Sequence, residues 1–216
     1  MESPKRKTYR HGDLQRALLD AGTQLAQLGG PGAVVLREAT RQAGVAPNAA
    51  YRHFADRNAL LQAVCAAAQA QLALAIEAEW GKVKEEGHAA DVARAHLRAV
   101  GTGYMRFARA EPGLFRTAFS VHEDLQKAGV AEMAGKSGLT PFQLLGRALD
   151  EMLAAGVLPS ERRAGAEFLA WSAVHGLSML LIDGPLRALD ADQAEAIGQR
   201  LIDMVECGLP QAGPVR

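Results

Sequence analysis

The sequence predicts an all-α protein, with a small N-terminal helical module and a larger C-terminal helical body. Three observations carry that expectation. The chain is 49% hydrophobic but only 5% aromatic; Ala and Leu abound while Val-Ile-Thr runs are scarce, a mix that favours helices. Apolar residues recur three or four apart along most of its 216 residues, the period of a helix face. No strand-like alternation persists, and no internal repeat stands out.

The elements follow in order. Leu14, Leu18, Ala21, Leu25 and Leu28 make one face of a first helix over 13–28, and Gly29, Gly30, Pro31 and Gly32 stop it. A short helix over 36–43 ends at Gly44. Pro47 suits the first turn of a third helix running to about Phe54, because its missing N–H has no partner to lose there. Asp56 is placed to cap a long fourth helix over 57–85, which is shared between module and body. Further helices are expected over 91–110, 114–129, 141–155, 161–182 and 190–207. The breaks fall at Gly87, at Glu111-Pro112-Gly113, at Gly156 with Pro159, and at Gly184-Pro185.

A chain of this length makes about one to one-and-a-half average domains. With 22% charged residues it can bury a core, which excludes disorder, collagen and a disulfide-stapled miniprotein. Cys65 and Cys207 form no CxxC pair, which suits a reducing compartment. No signal peptide is expected, since no apolar stretch follows the basic N-terminus. The longest apolar stretch is read as 173–182, short of the roughly 18–20 residues that a membrane span needs.

Charge is balanced overall, 24 basic against 24 acidic residues, but unevenly placed. Residues 1–60 hold nine basic side chains (Lys5, Arg6, Lys7, Arg10, Arg16, Arg37, Arg41, Arg52, Arg57) and five acidic ones (Glu2, Asp13, Asp20, Glu38, Asp56). Such asymmetry points to polyanion contact at one end, though a surface surplus of this size also occurs without function.

The sharpest local pattern is RQAGVAPNAAYRHF, residues 41–54. A helix, a short turn holding Gly44 and a second helix make a helix-turn-helix, and Gly44 suits the positive φ of the corner. Helical phase puts Ala50 and Phe54 on one side, and Asn48 and Arg52 on the other, flanked by Ala49 and Tyr51. Asn pairs bidentately with adenine and Arg with guanine in the major groove of DNA. Tyr51, His53 and Arg57 are placed to reach phosphate oxygens, as is the helix N-terminus at Arg57-Asn58. An ordinary helical corner with a polar face in water fits the same residues, and Tyr51 suits burial as well as a phosphate.

The stretch LREATRQAGVAPNAAYRHFADRNALLQAV resembles the helix-turn-helix of the tetracycline-repressor (TetR) family of transcription regulators. The matching residues are Leu36-Arg37-Glu38, Ala43-Gly44-Val45, Tyr51-Arg52-His53-Phe54 and Leu60-Leu61. Tyr9-Arg10-His11-Gly12-Asp13-Leu14 with Ala17-Leu18-Leu19 resembles the opening of one subgroup. Trp171-Ser172-Ala173-Val174-His175-Gly176-Leu177 is similar to that subgroup's Trp-His-Gly (WHG-type) signature, and Glu111-Pro112-Gly113-Leu114-Phe115-Arg116 to its mid-domain turn. Ala39 and Thr40 stand where the family usually has Ile and Ala, Ala46 where it has Ser, and Arg57 where Lys is frequent. A Ser at 46 would cap the third helix; its absence costs about 1 kcal/mol.

The resemblance implies a DNA-binding domain with its N-terminal arm over 1–60, and an effector-binding and dimerisation domain over 61–216. It implies a ligand-responsive repressor in the cytoplasm, binding a near-palindromic double-stranded operator as a homodimer, with half-sites roughly 34–36 Å apart. The DNA-binding residues would be Arg37, Thr40, Asn48, Ala49, Tyr51, Arg52, His53 and Arg57, with Lys5, Arg6 and Lys7 as an arm. The dimer interface would use Leu169, Leu177, Leu181, Ile197, Leu201 and Val205, although amphipathicity alone leaves burial within the subunit open. A small, largely apolar effector would sit among Tyr104, Phe107, Phe115, Phe119, Phe142, Met152, Trp171, His175 and Met179, with Tyr104 and His175 as polar groups. The same aromatic and Met residues suit a packed core. Gly101 and Gly103 leave room for a ligand or for a neighbouring helix.

Other chemistry finds little footing. Residues 129–137 (GVAEMAGKS) nearly spell a phosphate-binding loop, but Val130 occupies the place of the required Gly and no strand precedes. The Gly135–Gly138 segment therefore reads as a flexible connection. There is no HExxH, GxSxG or Cys/His cluster with metal spacing, so no enzyme, metal or cofactor is expected. The alternative class is a helical small-molecule carrier without sequence-specific DNA binding.

Overall fold

The computed structural model describes residues 11–121 and 131–211. The basic arm Lys5-Arg6-Lys7, the Tyr9-Arg10 start of the subgroup-like opening, and residues 122–130, which include the last part of the helix expected over 114–129, lie outside the described residues. The helices, in chain order, are α1 (His11–Gly29), α2 (Leu36–Ala43), α3 (Pro47–Ala50), α4 (Arg57–Trp80), α5 (Ala89–Ala110), α6 (Pro112–Ala118), α7 (Pro141–Ala154), α8 (Ser160–Arg163), α9 (Ala166–Ile182) and α10 (Ala191–Gly208). A 3-10 turn, Pro31–Ala33, separates α1 from α2, and the described residues contain no strand.

The chain divides into two compact units. One holds the described residues 11–68 together with 113–121, the other 69–112 together with 131–211. Helix α4 contributes residues to both, and α6 is grouped with the N-terminal unit although it lies well beyond residue 61 in the chain. The reason is local packing. Leu114, Phe115, Thr117 and Ala118 of α6 are buried, and Gly113 lies so close to α1 that a Cβ there would come within 2.3 Å of the Gln27 carbonyl oxygen. Thr117 returns its hydroxyl to the Gly113 carbonyl (2.8 Å), and the Cys65 thiol of α4 reaches the Ala118 carbonyl (3.1 Å).

In the N-terminal unit, α1 packs on α2 and α3 through buried Leu18, Ala21, Leu25 and Ala26, while Leu28, counted in the same face, is exposed. Helix α4 corrects the expectation that 173–182 is the longest apolar stretch. Residues 59–76 carry no charge, and α4, with an 18-residue window of mean hydropathy 1.7, is long and apolar enough to cross a membrane by length and composition. Half of that window is inside the fold, with Leu60, Val64, Leu72 and Ile76 fully buried, as in a core helix.

In the C-terminal unit, α5 packs against α7, α9 and α10. Gly101 permits the approach of α10, and Gly103 that of α4. A Cβ at 103 would lie 2.6 Å from the Ile76 Cα of α4, and one at 101 would meet Ile202 of α10 at 3.0 Å. Those glycines thus accommodate neighbouring helices. Arg106 and Arg109 of α5 bind Glu195 of α10 (2.7 and 3.3 Å), and Arg94 and Arg98 bind the buried Glu206. Capping boxes start α7 at Thr140 with Gln143, and α10 at Asp190 with Gln193. His96 is buried, stacked on Trp80 at 4.0 Å and hydrogen-bonded through Nδ1 to Glu151 (2.6 Å).

Several expected boundaries shift. Helix α3 stops at Ala50 rather than Phe54, because His53 and Phe54 both donate to the Ala50 carbonyl (2.9 Å each) and close a turn. Helix α4 ends at Trp80 rather than 85, where Lys82 and Val83 tighten onto Glu79 and Trp80. The run expected over 161–182 is broken at Gly165, whose φ is +77°. The segment after α5 becomes helical already at Pro112 and ends at Ala118 rather than continuing towards 129, with 119–121 outside the helix. The Gly135–Gly138 connection is also a defined turn: Lys136 and Ser137 each donate a backbone N–H to the Glu77 carboxylate of α4 (2.9 Å each). Burial pushes Glu77 up, but the bonds from Ser137 and Lys136 outweigh it and hold the carboxyl below its ordinary value.

Candidate functional site

The corner between α2 and α3 is held by backbone. Gly44 takes φ +69°, a conformation that costs a side-chain-bearing residue, and its N–H caps α2 on Arg41. Thr40 is 2% exposed. Its hydroxyl donates to the Arg37 carbonyl (2.7 Å), and its own carbonyl accepts from Val45 (3.0 Å). Of the residues expected to touch DNA, Thr40 is therefore turned inward as part of the corner. Ala46 caps α3 with no side-chain bond, and Pro47 occupies the first turn.

Beyond the corner, Ala50 and Phe54 are buried against the unit, while Asn48, Tyr51 and Arg52 are exposed, Tyr51 to 58%. Ala49 and His53 are half-buried at the margins, and Arg37 is exposed on α2. These residues present an amide, a phenol and guanidinium groups on the surface of the N-terminal unit. Two acids temper the positive charge. Glu38 accepts from Arg41 Nε (2.8 Å), a bond that holds its carboxyl below the ordinary value. Asp56 accepts from the Ala59 N–H (2.8 Å), so the N-terminus of α4 already carries a carboxylate. Arg57 turns towards protein: its Nε donates to the Val34 carbonyl (2.8 Å) and its Nη2 to that of Pro31 (2.7 Å).

In the C-terminal unit, three side chains from α5 and α9 form a chain of hydrogen bonds. Trp171 Nε1 donates to the Tyr104 hydroxyl (3.0 Å), which lies 2.7 Å from His175 Nδ1. The Tyr104 hydroxyl thus joins the Trp171 indole to the His175 imidazole. Burial raises the Tyr104 pKa far above the usual phenol range and pushes His175 below its ordinary value. Both groups are neutral near pH 7. Phe142 stands edge-on to Trp171 at 5.8 Å and tilted to Phe168 at 5.8 Å. Phe168 is missing from the expected set, although its spacing from Trp171 and His175 puts it on the same helix face.

Other expected effector residues are scattered. Phe107 and Met152 are buried in the C-terminal unit and Met179 is half-buried there. Phe115 is fully buried and edge-on to Phe119 at 5.2 Å, but both belong to the N-terminal unit. An open groove of about 640 Å³ runs along α7, lined by Leu139, Phe142, Arg147, Asp150, Glu151 and Glu167 among others. Ion pairs from Arg163 to Asp150 and Glu167 edge it.

The expected interface residues of α9 and α10 divide by helical phase. Leu169 (68% exposed) and Ile197 face outward, together with Phe168, Leu180 and Met204 (61%), while Leu177 and Leu181 are buried. Leu201 and Val205 are half-buried between the two faces.

Residues 18–64 match the model of bacterial regulatory proteins of the tetR family, and residues 97–205 match a tetracyclin repressor-like C-terminal domain. Among solved structures, the chain is similar to a protein of unknown function from Rhodococcus sp. RHA1, with 26% identity and a TM-score of 0.73 over 95% of this chain and 100% of that one. It is similar in fold to a TetR variant from Acinetobacter baumannii AYE in complex with minocycline (16% identity, TM-score 0.57, covering 90% and 97%). The same holds for a TetR family transcriptional regulator from Thermus thermophilus (18%, 0.56, 90% and 99%). No curated protein matches the chain.

Proposed function

The chain belongs to the tetracycline-repressor family of bacterial transcription regulators, and from that premise we propose that the outward edge of α3 reads the operator, with a small apolar effector releasing it. Family members are non-enzymatic regulators with an N-terminal DNA-binding domain and a C-terminal ligand-binding domain, and membership implies operator binding, dimerisation and an effector. One observation carries the proposal: Asn48, Tyr51 and Arg52 stand exposed over buried Ala50 and Phe54, within the stretch that matches the family's DNA-binding domain.

In this reading Asn48 and Arg52 contact base edges. Arg37, Tyr51 and His53 contact phosphates, with Ala49 packed close to the groove wall. The regulator acts in the cytoplasm, as a repressor on a near-palindrome. The Trp171-His175-Gly176 pattern supports the WHG-type subgroup. The effector contacts His175 and the aromatic faces of Trp171, Phe142 and Phe168, with Phe107, Met152 and Met179 behind them. The minocycline held by the Acinetobacter relative supports an effector of drug size. Linkage requires an effector that prefers the DNA-incompetent state to weaken operator binding by the same factor.

For the dimer, the outward residues Leu169, Leu180, Ile197 and Met204 supply the apolar face. Met204→Glu then shifts the protein from dimer to monomer in sedimentation velocity; an unchanged dimer removes that face from the interface.

The function is tested by selecting bound fragments from the source genome and measuring their affinity against salt. A regulator recovers a shared near-palindrome with a steep salt slope. Recovery of no common sequence, with ligand binding intact, identifies a carrier.

A further inference from the structure

The position that opens α4 is the one where the family frequently has Lys and this chain has Arg57. Its guanidinium spans both ends of the 3-10 turn between α1 and α2: Nε on the Val34 carbonyl at 2.8 Å, Nη2 on the Pro31 carbonyl at 2.7 Å. Val34 is fully buried and immediately precedes Val35, the cap of α2. The Pro31 carbonyl also accepts from the Val34 N–H (3.3 Å), so one turn is closed by backbone and by Arg57 together. Helix α2 in turn packs on α3. A planar fork with several donors in fixed directions can hold two separate carbonyls; a Lys ammonium is a single point of charge on a flexible stem.

We propose that Arg57 is a positioning residue for DNA reading rather than a phosphate contact: it ties the first turn of α4 to the entry of α2 and so sets the orientation in which α3 meets the groove. The proposal rests on the operator-reading assignment of α3. It also explains the Arg, since a phosphate contact needs only the charge and the clamp needs the fork.

The test compares the full-length parent with Arg57→Lys and Arg57→Ala. The probes are the genomic fragment recovered by selection and a random-sequence duplex of equal length, each titrated across a series of salt concentrations. Amide exchange is followed at Val34, Glu38 and Ala39, whose N–H groups bond to Pro31 and Val35. The clamp predicts that Arg57→Lys, with its charge kept, loses about tenfold in affinity for the selected fragment. Its affinity for the random duplex and its salt slope stay at the parent's values, and the three amides exchange faster. Parent-like binding by Arg57→Lys, with Arg57→Ala weakened on both duplexes and its slope reduced by about one, identifies a phosphate contact and overturns the proposal. Equal losses on both duplexes for Arg57→Lys, or parent-like behaviour of both variants, overturn it too. If the parent selects no fragment, the operator-reading assignment fails, and unchanged exchange at the three amides still rejects the clamp by itself.

Discussion

At the corner around Gly44 the backbone does the holding and the side chains are left to face outward. Gly44 and Val45 donate their backbone N–H groups to the Arg41 and Thr40 carbonyls, and Asn48, Tyr51 and Arg52 stand exposed beyond them. Around Tyr104 the arrangement is reversed: Trp171 Nε1, the Tyr104 hydroxyl and His175 Nδ1 are joined to one another, and the rings meet edge to face. A surface that must satisfy many hydrated acceptors keeps its donors in water until it docks. A site for an apolar molecule satisfies its polar groups beforehand, because a buried donor without a partner costs about 1–3 kcal/mol.

The largest test of that contrast concerns which unit owns an aromatic residue. Phe115→Ala removes a fully buried ring and should cost about 3–5 kcal/mol, read as a lower urea midpoint. Since Phe115 sits in the N-terminal unit, the folded variant keeps its effector affinity; a large loss of effector binding would move Phe115 into the pocket. Tyr104→Phe comes next. It leaves Trp171 Nε1 and His175 Nδ1 without the hydroxyl that joins them, and should cost about 1–3 kcal/mol while leaving affinity for random-sequence DNA unchanged. A variant as stable as the parent shows that the chain of bonds contributes nothing.

The smallest effect lies in pH. Glu77 is held below its ordinary value of 4.5 by the 136–137 turn. Its contribution to stability is fully present above that ordinary value and is lost as pH falls through the depressed one. Urea midpoints measured from pH 7 down to about pH 3 should therefore fall less steeply for Glu77→Gln than for the parent. Parallel curves would show that the turn does not depend on the carboxylate.

Much of the corner is legible in the sequence because it is local. Gly44, Pro47, Asp56, Ala50 and Phe54 act over three or four residues, within reach of spacing and capping rules. The early end of α3 is not, since it depends on which carbonyl His53 and Phe54 choose. Nor is the position of Phe115: nothing in the spacing of an apolar helix says which of two units it enters, and the decisive contact, Gly113 against the Ala26 and Gln27 carbonyls, spans more than eighty residues. Apolar character alone groups Leu177 and Leu181 with Leu169, yet helical phase separates the buried face from the outward one. Glu77 and the 136–137 turn are nearly sixty residues apart, and no local rule joins them. The double engagement of Arg57 is hidden in the same way, with only the departure from Lys to point at it.

The central claim is that α3 reads bases through the side chains it leaves outside. The most direct measurement is the base preference of Arg52→Ala at single-position resolution, on variants of the selected fragment, beside the parent. The expected result is a loss of about 1–3 kcal/mol, with discrimination relaxed at one position in each half-site and thermal stability unchanged. An Arg52→Ala protein that binds as tightly as the parent and keeps every base preference would contradict the account.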